Sequence, residues 1–83
     1  MIKNKETIDS LKSKIKYAEQ KIKRIEEEKI PEVELKYLDK KSIYYKADIA
    51  ILKADISNQR ALITMYSDKI KQIEKEETQN QPQ

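Results

Sequence analysis

Apolar residues recur along this chain at a helical step. The first run is Ile8, Leu11, Ile15, Ala18, Ile22 and Ile25, in alternating steps of 3 and 4. That spacing keeps one face of a helix apolar and repeats as a heptad seam. A second run is longer. Its a positions read Leu35, Ser42, Ile49, Ile56, Ile63 and Ile70, and its d positions read Leu38, Tyr45, Leu52, Gln59, Tyr66 and Ile73. All but Ser42 and Gln59 are apolar or aromatic.

The two runs are out of phase, and the slip coincides with Pro31. Proline inside a helix loses a hydrogen bond and clashes with the preceding turn, whereas at the first turn of a new helix it costs little. The pattern therefore predicts an all-α fold of two long helices broken at Pro31, about 4–29 and 32–77. Asn4 serves as the first N-cap. Residues 1–77 form one helical coiled-coil domain, and the polar tail 78–83 is expected to be disordered. The arrangement the pattern favours is an antiparallel helical hairpin that assembles into a coiled-coil bundle. A kinked parallel coiled coil and a three-helix bundle are the alternatives, because no Gly, Asn or Ser lies beside Pro31 to ease a turn.

The second helix carries another stripe opposite its seam: Ile43, Ala47, Ala50, Ala54, Ser57, Ala61 and Thr64. Small residues let another helix approach closely, and Ile43, Tyr44 and Ile51 suggest burial against a neighbour. At 1.5 Å per residue the first helix spans roughly 40 Å and the second roughly 70 Å. A hairpin of such unequal arms leaves Ile63, Tyr66, Ile70 and Ile73 uncovered. The expected oligomer or partner interface is thus Ile49, Leu52, Ile56, Gln59, Ile63, Tyr66, Ile70 and Ile73.

Charge refines this picture. Of the g–e′ pairs a parallel coil would form, Lys14–Glu19, Lys21–Glu26, Asp48–Lys53, Asp55–Arg60 and Lys69–Glu74 attract, while Glu34–Asp39 and Lys41–Lys46 repel. Gln59 at d would fix register at a cost in stability. Lys5, Lys12, Lys16 and Lys23 line one side of the first helix and are candidate nucleic-acid contacts. The glutamates at 26, 27, 28, 32 and 34 point in different directions on a helix and do not converge on one cation.

Composition narrows the chemistry. The 83 residues include no Gly, Cys, His, Trp or Phe, and 18 basic residues face 15 acidic ones for a net charge of +3. No thiol, imidazole or glycine-rich phosphate loop is on offer, so we expect no enzyme, no cofactor, no metal and no small-molecule substrate. No apolar run is long enough to span a bilayer, and the start lacks a signal-peptide pattern, so the expected location is cytoplasmic with no membrane partner. The excess of Lys over Arg and of Ile over Leu suits AT-rich coding, as in a low-GC bacterium, phage or mobile element. The functional expectation is a non-catalytic coiled-coil oligomerisation and protein-interaction module, a homo-oligomer (a dimer first) and a binder of other helices, of the kind a phage or mobile element carries as an accessory protein. The alternatives are a basic helical nucleic-acid-associated regulator and a protein inhibitor of a host enzyme.

Overall fold

The computed structural model describes the backbone of residues 2–80 and the side chains of residues 7–77. Within them the chain is all-helical, with no strand. α1 runs Ile2–Arg24, a π turn follows at Ile25–Lys29, and α2 continues as Ile30–Lys36. Six residues then lead into α3, Ile43–Asn80. α1, the π turn and α2 form one arm of the molecule, and α3 forms the other.

Contacts climb one arm as they descend the other. Lys14 lies over the Tyr66 ring, Glu26 pairs with Arg60, and Tyr37 meets Tyr45 and Asp48. The arms therefore run antiparallel within a molecule of 65 × 16 × 14 Å.

The helix boundaries differ from those expected: α1 begins at Ile2, which puts Asn4 inside the helix and not at its cap, and the break is not at Pro31. The chain passes through Pro31 in helical conformation and leaves the helix only after Lys36. The physical reason lies in the π turn. The Ile30 N–H reaches back five residues to the Ile25 carbonyl, so one extra residue is taken into the helix there. The inward residues then read Ile22, Ile25, Ile30, Val33 and Tyr37, with a single step of 5 where the turn widens. The π turn thus shifts the inward face of the first arm by one residue, and the second run, which lies mostly on α3, sets its own phase. Pro31 sits at the start of α2, where a missing N–H and a fixed φ are tolerated.

Reversal occurs at residues 37–42 instead, and its chemistry is local. Tyr37 adopts an extended conformation with φ −109° and ψ 121°. The Asp39 carboxylate accepts the Lys41 N–H at 2.9 Å, and the Asp39 carbonyl accepts the Ser42 N–H at 3.2 Å. Ser42 then caps α3: its hydroxyl accepts the Tyr44 N–H at 3.2 Å and its carbonyl accepts the Lys46 N–H at 3.1 Å. Ser42 is thus a helix cap, not a seam residue. Leu35 and Leu38, placed in the second seam by their spacing, belong to the first arm and the loop, and are 85% and 101% exposed. At its far end α3 continues to Asn80, three residues past the expected end, and residues 81–83 of the expected tail lie outside the described residues.

The core is thin. Ile22, Ile25 and Ile56 form its centre, with Ile30, Leu52 and Ile63 packed against them. Leu11, Ala18 and Ile70 are the other buried apolar side chains among the described residues. Ile25, only 1% exposed, sits at the first position of the π turn.

Candidate interaction surface

The α3 seam faces the first arm of the same chain. Ile56 and Ile70 are buried, Leu52 and Ile63 pack on the core, and Ile49, Gln59, Tyr66 and Ile73 are half-buried. The uncovered end expected for this seam does not arise, because the first arm extends to Lys36 and the two arms are nearly equal in length. Lys14 reaches Tyr66 with its ammonium 5.7 Å from the ring centre. Gln59 donates a long 3.5 Å hydrogen bond to Asp55, its neighbour one turn back.

What remains exposed is the opposite side of α3. Ile43, Ala47, Ala50, Ala54, Ser57, Ala61 and Thr64 all face outward, joined by Tyr44, Ile51 and Met65. Ile51 is 67% exposed and Met65 54%. Tyr44, Ile51 and Met65 recur at multiples of seven and form a column beside Ala47, Ala54 and Ala61. At 100° per residue these positions cover a continuous arc that carries no charge between residues 43 and 65. Lys46, Lys53 and Arg60 border it on one side, and Asp48 and Asp55 on the other. Met65 was not singled out from the sequence, although the seven-residue step from Tyr44 and Ile51 marks it.

The basic row is present in part. Lys12, Lys16 and Lys23 are exposed, and the Lys5 side chain lies outside the described residues. Neighbouring charges belong to ordinary surface pairs: Arg24 with Glu28 at 3.2 Å and Arg60 with Glu26 at 3.7 Å.

Between the arms run shallow grooves. One of about 460 Å³ is lined by Ser10, Ser13, Lys14, Tyr17, Ala18, Gln59, Leu62 and Tyr66. No group of three or more His, Cys, Asp or Glu side chains suited to a metal ion occurs among the described residues. No helix among them is long and apolar enough to cross a membrane.

The loop end is braced by aromatic contacts. The Tyr37 hydroxyl donates a 2.8 Å hydrogen bond to Asp48, and the Tyr37 and Tyr45 rings meet edge to face at 6.1 Å. Lys36 and Lys40 lie over these rings at 5.4 and 4.8 Å, and the Lys40 ammonium also donates to the Glu34 carbonyl. The hydrogen bond to Asp48, and then partial burial, hold the Tyr37 phenol above its ordinary pKa of 10.0.

Comparison with protein-family models, with curated proteins and with solved structures finds no match to this chain.

Proposed function

We propose that this protein is a non-catalytic helical-hairpin module that binds other helices, its own copy first, through the outward face of α3. The observation that carries this reading is the charge-free stripe around Ala47, Ile51, Ala54 and Met65, exposed on a chain whose seam is already occupied. An isolated apolar side chain at a surface means little, but a continuous stripe marks an interaction site.

Surface area supports the same reading. The chain exposes 6963 Å². A compact monomer of 9.9 kDa would expose about 5,200 Å². The difference, about 1,750 Å², follows from the elongated 65 × 16 × 14 Å shape, whose long sides leave room for a partner. Alanines on the stripe let a second backbone approach, while Ile51 and Met65 supply the apolar contact.

Sedimentation equilibrium tests the proposal. Wild type should associate at micromolar concentration. Ile51→Lys with Met65→Lys should give a monomer that keeps its helix content, because both positions face away from the core. Ile63→Lys with Ile70→Lys should instead unfold the chain. A wild type that stays monomeric at high micromolar concentration rules out self-association and leaves the stripe to another protein.

A nucleic-acid-associated role is the second reading, favoured by the exposed row Lys12, Lys16 and Lys23. Its mark would be duplex DNA binding that falls steeply with salt.

A further inference from the structure

The loop end of the hairpin concentrates two properties that loops usually keep apart. Leu35, Leu38, Ile43 and Tyr44 lie within ten residues of one another and are all largely exposed, Leu38 entirely so. Lys36, Lys40, Lys41 and Lys46 are interleaved with them and exposed as well. Residues 35–46 hold four lysines against one acid, Asp39, with Glu34 and Asp48 flanking the stretch. The Asp39 carboxylate is turned onto the Lys41 backbone.

The exposure is built into the folded loop. Ser42 caps α3, and Tyr37 is locked between Asp48 and Tyr45. Leu38 therefore projects from a braced turn at one pole of a rod 65 Å long.

We propose that this tip docks on an anionic phospholipid surface, with Leu35, Leu38 and Ile43 entering the boundary between headgroups and acyl chains while the lysines contact lipid phosphates. Three considerations favour a lipid surface over a protein pocket. The apolar group is terminal, at the loop end of an elongated molecule. Lys41 and Lys46 carry their charge on long flexible stems that can stay at headgroup level, while Lys36 and Lys40 lie over the Tyr37 and Tyr45 rings at the same end. The negative potential of an anionic leaflet attracts such a cluster, and tyrosines such as Tyr44 favour the membrane–water interface. The contact is peripheral, since no described helix can cross the bilayer. It shares Ile43 and Tyr44 with the end of the α3 stripe proposed above, but it does not require that stripe to self-associate.

Vesicle flotation tests this with the full chain. Wild type should bind vesicles of phosphatidylcholine mixed with phosphatidylserine and not those of phosphatidylcholine alone. Lys41→Gln with Lys46→Gln should weaken binding roughly 30-fold. Leu35→Ser with Leu38→Ser should weaken it roughly tenfold or more. All four positions are exposed, so circular dichroism should show unchanged helix content in both variants. The chain has no Trp, so Leu38→Trp gives a unique fluorophore whose emission should shift to shorter wavelength on the anionic vesicles. Absence of wild-type binding to anionic vesicles would overturn the proposal and leave the tip to a protein partner. Binding that survives the Leu→Ser changes, with no Trp shift, would also overturn it, by showing adsorption through charge alone.

Discussion

The π turn makes a sharp prediction about chain length. If the extra residue at Ile25–Lys29 and the proline after it belong together, removing one should expose the cost of keeping the other. Deleting Glu27, an exposed residue, shortens the step from Ile25 to Ile30 from five residues to four, so the wide turn is no longer needed. A plain α-helix then brings Ile30 and Val33 to the inward face without a π turn. Pro31, however, now sits inside a regular helix. Its ring meets the carbonyl four residues back, which costs about 3 kcal/mol. Pro31→Ala alone changes little, about 1 kcal/mol or less, because the π turn persists as long as Ile25 and Ile30 must both face α3. The double change should return to within about 1 kcal/mol of wild type, giving a coupling near 3 kcal/mol where independent sites would add. A domain of this size has a total stability of about 4–12 kcal/mol, so the single deletion is readily measured. Urea titrations followed by circular dichroism supply all four corners of the cycle. Additive effects would show that turn and proline are independent, and so would a Glu27 deletion as harmless as Pro31→Ala.

Other expectations follow from single contacts. Ile25→Ala should cost about 2–5 kcal/mol in the same titration, since its side chain is the most buried in the core. Ser42→Ala removes the α3 cap and should cost about 1 kcal/mol, recovered by Ser42→Asp. Replacing Gln59 by Leu should raise the melting temperature by several degrees, because Gln59 contributes only a long hydrogen bond to a half-buried seam position. The raised pKa of Tyr37 means that the folded state holds the phenol proton more tightly than the unfolded chain. That stabilisation is full below pH 10 and is lost as pH rises through the raised value, so alkaline titration should loosen the loop end. In Tyr37→Phe the melting temperature should fall less between neutral pH and strongly alkaline pH than in wild type.

The helical class and most of the two seams could be read from spacing alone. Ile8 to Ile25 by steps of 3 and 4, and Tyr45 to Ile73 likewise, turn inward in the structure as a heptad pattern requires. The reversal could not be placed that way. A slip of one residue has two solutions, a break or a π turn, and the pattern does not choose between them. The deciding chemistry lay in Asp39 and Ser42, a side-chain turn and a helix cap. Ser42 also stands seven residues from Leu35 and Ile49, so a regular heptad hid its role. Placing the turn there lengthened the first arm by seven residues, covered Ile63 to Ile73, and moved the open apolar surface to the other side of α3. Which stripe of a two-faced helix meets water depends on where its partner helix ends, and that is set by the turn.

The position of the loop also bears on how the molecule forms. Tyr37 and Asp48, the pair at the loop end, are only 11 residues apart along the chain, while Lys14 and Tyr66 are separated by most of it. Closing a short segment loses the least chain entropy, and each contact made after it lengthens the closed loop by only a few residues. The arms should therefore zip from the loop toward the two ends, as local contacts form before distant ones. Changes at Tyr37, Asp39 or Ser42 would then slow folding, whereas changes at Leu11 or Ile70 would chiefly hasten unfolding. A chain with no glycine to loosen its turn carries its nucleus in that turn.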